Sequence, residues 1–324
     1  MRSPIVGLHH VTSIASDPQR NLDFYTGVLG LRFVKRTVNF DDPGTYHFYF
    51  GDDTGTPGTI LTFFPWPGTP MGRRGAGETI ATTFSIPVGS MDYWRKRLES
   101  KNIAFEEQVY FGGTHLSFGD PDGMVVELVE HAETQISKAP RYSDVPAKHA
   151  IQGFFGVTLL ELSLMRSQAM LGLMGYRKLR EEGDRSRYAP EGAALGRFLD
   201  IVVDEEAQPG RMGAGTVHHI AFRASDDSAQ LEWQQELGRQ VSVTPVQDRT
   251  YFHSIYFREP GGVLFEIATD SPGFLIDEPV ESLGEALRIP EWFEPQRSQI
   301  EAGVQPITLH KMNAGSIAES EMTL

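Results

Sequence analysis

The chain has 324 residues, a net charge of −14, 40 % hydrophobic and 22 % charged residues and no cysteine, long enough for one large core or two domains. Its acidic balance excludes a nucleic-acid or anionic-membrane partner, which needs a basic face, and the lack of thiols excludes disulfides, thiolate metal sites and cysteine nucleophiles. No run approaches the roughly eighteen apolar residues of a membrane span and no apolar signal core precedes the first strand-like segment, so a cytoplasmic protein is expected.

Residues 7–14 open the chain with a strand-like run. Residues 21–29 then carry apolar side chains at helical spacing up to Gly30, and 31–39, 45–51 and 59–64 read as strands between Asp/Pro/Gly turns. The same order returns three times. Residues 5–12 align without gaps on 151–158, Gly75-Ala76-Gly77 leads into a strand as Gly213-Ala214-Gly215 does, and 118–127 match 257–266. Helices are expected at 91–101, 167–173 and 228–236. In the first of these, Met91, Trp94 and Leu98 share a buried face, and the basic run Arg95-Lys96-Arg97 points to solvent.

The chain therefore reads as α+β, four βαβββ modules in two halves, 1–131 and 150–272, with 132–149 as linker and 273–324 as a C-terminal extension ending in a loose polar tail from 313.

Each unit offers one ligand position on its first strand (His10, Ala81, Gly156, His219) and one on its last (Thr62, Glu127, Asp200, Glu266). Pairing the third unit with the fourth would bring together His219, Glu266 and Asp200. Pairing the first with the fourth would bring together His10, His219 and Glu266, and two imidazoles with one carboxylate leave open positions on a metal, the pattern of non-haem Fe(II) oxygenases. Both schemes supply three ligands. The second is favoured because it accounts for both His-His pairs, His9-His10 and His218-His219, at once. A carboxylate in the apolar run around Glu266 needs a partner if buried; for Glu127, in an equally apolar run, an arginine or backbone donor is expected. Strand alternation sets His9 and His10 on opposite faces unless a bulge turns one of them.

The four-unit layout, the two His-His pairs and the segment Pro260-Gly261-Gly262-Val263-Leu264-Phe265-Glu266 resemble the vicinal oxygen chelate superfamily, in particular its Fe(II)-dependent dioxygenases that cleave hydroquinone rings. The similarity also takes in residues 31–37 and 55–59 and covers roughly 5–275. It implies two open β-cups, with His10, His219 and Glu266 as ligands of Fe(II), or of Mn(II) in its place. It implies His9, His218, Arg249 and Tyr256 as surrounding catalytic residues: the two histidines as candidate bases for a substrate hydroxyl, Tyr256 as a hydrogen-bond partner of bound oxygen, Arg249 as a counter-charge. The implied partners are a small aromatic diphenol and O2, with assembly into a homo-oligomer left open. Three other readings share parts of the pattern: a catechol extradiol dioxygenase, a glyoxalase-like isomerase or lyase, and a non-catalytic binding protein. Thr62, standing where a fourth carboxylate ligand would be expected, speaks against the isomerase.

Overall fold

The computed structural model describes residues 3–132, 138–192 and 195–309; the tail from 313 lies outside them. The first unit comprises β1 (Leu8–Ala15), α1 (Pro18–Gly27), β2 (Arg32–Asn39), β3 (Asp42–Gly51) and β4 (Ile60–Pro65). The second has β5 (Glu78–Ile86), α2 (Met91–Ser100), β6 (Phe105–Tyr110), β7 (Gly113–Gly119) and β8 (Val125–Glu130). The third has β9 (Gly153–Glu161), α3 (Leu164–Leu173), β10 (Arg177–Glu182), β11 (Arg185–Ala189) and β12 (Phe198–Val203). The fourth has β13 (Val217–Ala224), α4 (Asp227–Leu237), β14 (Gln247–Asp248), β15 (Phe252–Arg258) and β16 (Leu264–Pro272).

These strands form two eight-stranded sheets, ordered β14-β15-β16-β13-β1-β4-β3-β2 and β10-β11-β12-β9-β5-β8-β7-β6. The outer units share one sheet through antiparallel β1–β13 pairing, and the inner units share the other through β5–β9. Each sheet is an open half-barrel, and with few helices the fold is α+β. One core joins both sheets to the helices: Leu22, Trp94, Met170 and Trp233 share it with Phe48, Phe84, Phe154 and Phe222. Among the described residues no helix is long and apolar enough to cross a membrane.

Local chemistry explains where the expected elements shift. Helix α1 starts at Pro18, ahead of the apolar spacing, because Asp17 caps it by accepting from the Arg20 N–H and proline suits the first helical position. The basic run does not lie wholly in solvent. Arg97 is buried, donating to the carbonyls of Gly27 (3.0 Å) and Val28 (2.7 Å) at the end of α1 and pairing with Asp144. An arginine there satisfies carbonyls that have no partner within their own helix.

The turn before the last strand repeats between units. Asp120 accepts from the N–H groups of Asp122 and Met124 and from the Tyr25 hydroxyl; Glu259 accepts from Gly261, Val263 and the Ser167 hydroxyl. Glu161 is buried beside Glu259, and burial, then Glu259, raises its carboxyl to about 8. The folded chain therefore keeps a proton that the unfolded chain releases above about pH 4.3. That stabilisation is complete below about pH 4 and is lost as pH rises to about 8, a decline of roughly 5 kcal/mol. Urea unfolding at stepped pH should show Glu161→Gln, neutral throughout, with this decline removed; a variant whose profile runs parallel to the wild type would disprove the assignment.

Candidate metal centre

Neighbouring residues on a flat strand face opposite ways, yet both histidine pairs converge. In the β1–β13 ladder Leu8 pairs with Phe222 and His10 with Ala221, skipping His9; Thr12 pairs with His219 and Ser13 with Val217, skipping His218. Each skipped histidine sits in a bulge, which turns its side chain towards its neighbour. The Nδ1 atoms of His9 and His10 are 2.9 Å apart, and those of His218 and His219 2.8 Å. In each pair one Nδ1 must donate and the other accept, and His9 also bonds the backbone of Thr269. A histidine held this way through Nδ1 has its Nε2 fixed in direction.

The two fixed Nε2 atoms meet Glu266. Its Oε2 lies 3.2 Å from His10 Nε2 and 2.9 Å from His219 Nε2, and the two nitrogens are 3.3 Å apart. All three side chains are buried. Glu266 Oε1 accepts from the Ser254 hydroxyl, whereas Oε2 has no aligned donor. Two imidazole nitrogens and a carboxylate oxygen facing one point repel or waste their lone pairs unless a cation sits there. Burial alone would raise the Glu266 carboxyl, but His10 and His219 beside it hold it well below the usual range. The donor set fits a divalent transition metal bound on one face.

The centre opens onto a cavity of about 460 Å³, within the span of small-molecule sites. His10, His218, His219, Arg249 and Tyr256 are on its wall, together with the aromatic rings of Phe40, Phe64, Trp66 and Phe252. Arg249 Nε reaches the Tyr256 hydroxyl at 3.2 Å, its guanidinium meets Asp41 at 3.3 Å, and the Tyr256 ring stands edge-on to His219 at 5.6 Å. His9 sits behind His10 rather than on this wall, its ring 5.1 Å from Phe252. Burial, then His219, pushes His218 down to about 3, so it enters the cavity as a neutral imidazole. Sequence reasoning missed His47 and Tyr49, which also line the cavity; the alternation His47, Tyr49 along β3 was the signal available.

The second sheet has the same bulges, skipping Ile80 and Phe155, but among the described residues holds no such donor set. Ala81 and Gly156 stand at the histidine positions, and any Cβ on Gly156 would run into the Phe198 carbonyl. Asp200 is taken by Arg185 (3.0 Å) and Arg187 (2.7 Å). Among the described residues the partners of Glu127 are not the arginine or backbone donor expected: it accepts from Thr83 (2.7 Å) and contacts His115 Nδ1 (3.1 Å). His115 occupies in β7 the place that Ser254 has in β15.

A profile of the Glyoxalase/Bleomycin resistance protein/Dioxygenase superfamily matches residues 7–128. The protein of Bacillus subtilis named ring-cleaving dioxygenase MhqO is 46 % identical over 315 residues, 97 % of this chain and 100 % of its own. The chlorohydroquinone/hydroquinone 1,2-dioxygenase of Sphingobium indicum is 34 % identical over 309 residues, 91 % of this chain and 95 % of its own. A crystal structure described as a dioxygenase of Bacillus subtilis superimposes with a TM-score of 0.92 at 46 % identity, covering 95 % of this chain and 99 % of that one. The chain belongs to the glyoxalase/bleomycin resistance protein/dioxygenase superfamily, among its ring-cleaving dioxygenases.

Proposed function

We propose that this protein opens the ring of a hydroquinone with O2, using Fe(II), or Mn(II) in its place, held by His10, His219 and Glu266. The observation that carries the reading is the convergence of His10 Nε2, His219 Nε2 and Glu266 Oε2, all within 4.8 Å of one another, where His10 and His219 line a cavity ringed by aromatic side chains. The name of the Sphingobium relative supports hydroquinone as the substrate class. A metal with three protein ligands on one face would supply adjacent open positions for a substrate hydroxyl oxygen and O2.

The chain's own residues do the rest. His9 and His218 keep the ligand rings in register through Nδ1. Phe64, Trp66 and Phe252 give the cavity an apolar, aromatic wall that suits a flat ring and disfavours water. His218, neutral and with its Nδ1 accepting from His219, carries its proton on Nε2 and can donate to a substrate oxygen from the cavity wall. Tyr256 stays protonated, since burial and then Glu266 raise its hydroxyl, and can donate to a substrate oxygen while Arg249 offsets negative charge there. Protein purified without oxygen, loaded with Fe(II) or Mn(II) and given hydroquinone should consume O2 as a ring-opened product appears. Metal-loaded protein that takes up no O2 with any hydroquinone or catechol would end this proposal.

A further inference from the structure

Thr62 stands in β4 where Glu266 stands in β16: Thr62 pairs with Thr12, two residues after His10, as Glu266 pairs with Ala221, two residues after His219. A hydroxyl at that position is near enough in kind to a ligand to compete for the metal's open side. It is instead bonded on two sides. Thr62 Oγ1 donates to Thr12 Oγ1 at 2.8 Å and lies 2.9 Å from His47 Nε2. On the other side of the imidazole, Nδ1 is 2.9 Å from the Tyr49 hydroxyl.

The direction of this chain follows from counting protons. Thr62 has one hydroxyl hydrogen, already given to Thr12, so towards His47 it can only accept. His47 must then carry its proton on Nε2, and Nδ1 must accept from Tyr49. Burial keeps the imidazole neutral and the Tyr49 hydroxyl protonated, as that order requires. The ring is packed between two others, its centroid 4.1 Å from that of Tyr49 and 4.4 Å from that of Phe64, tilted to both.

We propose that His47 is a positioning residue whose Nε2–H tautomer holds the Thr62 hydroxyl in a one-way chain from Tyr49 to Thr12, and so keeps it out of the position that the diphenol oxygen needs. This rests on the proposed metal centre and substrate class. Removing the donor with His47→Phe frees Thr62, which then competes with the diphenol. Removing the competitor with Thr62→Val makes the loss of His47 harmless.

Two measurements test it. In metal-free protein labelled with 15N-histidine, the imidazole shifts of His47 should report Nε2–H; an Nδ1–H tautomer would overturn the chain without reference to any substrate. With metal-loaded protein under anaerobic conditions, His47→Phe should weaken hydroquinone binding about tenfold, the scale of one buried hydrogen bond, with metal content unchanged. His47→Gln, which retains a donor, should restore binding, and so should His47→Phe combined with Thr62→Val. A double variant as weak as His47→Phe alone would show that His47 acts otherwise than through Thr62. Should the wild type itself ignore hydroquinone, the proposed substrate falls, and the tautomer decides the chain by itself.

Discussion

Glu266→Gln should emerge from purification with little metal and no detectable ring-opening activity. Glutamine keeps the shape of the side chain and its contact with Ser254, and removes only the charge that faces His10 and His219. Structural metal sites release about 10–16 kcal/mol over four ligands, so one ligand accounts for about 3–4 kcal/mol, a loss of several hundredfold in affinity. Stability supplies a readout that does not depend on turnover. A metal present at a thousand times its dissociation constant stabilises the folded chain by about 4 kcal/mol. A chelator should therefore lower the melting temperature of the wild type and leave that of Glu266→Gln unmoved. Asp200→Asn is the control, because that carboxylate is committed to Arg185 and Arg187 in the other sheet, and its metal content should equal the wild type's. Stoichiometric metal in Glu266→Gln would remove Glu266 from the centre.

The internal repeat made most of the architecture readable before any coordinates. Four copies of one pattern reinforce each other, and His10, His219 and Glu266 stand out because the copies differ there. What escaped depends on contacts between distant parts of the chain. No local pattern marks the bulges at His9 and His218, since they arise where β1 meets β13, about two hundred residues apart in sequence. Arg97 looked like solvent-facing charge because its real partners, the last carbonyls of α1, lie some seventy residues away. His115 was passed over as a partner for Glu127 because it comes from a neighbouring hairpin strand rather than from the ligand position. His47 had no second histidine beside it to draw notice. In the sequence the extension after β16 shows only its composition; its anchors, Lys35 among them with Arg32 and Arg36, lie in the opening unit more than two hundred residues away.

That lysine carries the second large effect: Lys35→Met should destabilise the protein by about 3–5 kcal/mol, the cost of stripping one partner from a buried ion pair. Lys35 is fully buried in β2, where its ammonium pairs with Glu278, reaches Asp277 at 2.6 Å and lies 4.9 Å above the Tyr251 ring. Methionine replaces the apolar stem as far as Cε and needs no solvation, so most of the damage comes from the abandoned Glu278 carboxylate, itself buried, with Arg288 3.5 Å away as its remaining cation. The loss should appear as a melting temperature lower by roughly 4–7 °C. Combining Lys35→Met with Glu278→Gln should recover most of it, because an uncharged pair no longer strands a charge; the shortfall from additivity measures the coupling. The same cluster bears on the centre. Phe274, Leu283, Tyr251 and Phe252 share a small core with Tyr49, and Phe252 packs 5.0 Å from the His10 ring. Loosening the extension should thus weaken metal binding in Lys35→Met, and the double variant should restore it along with the melting temperature. If metal affinity instead stayed at the wild-type value while stability fell, the extension would brace the sheet without setting the geometry of His10.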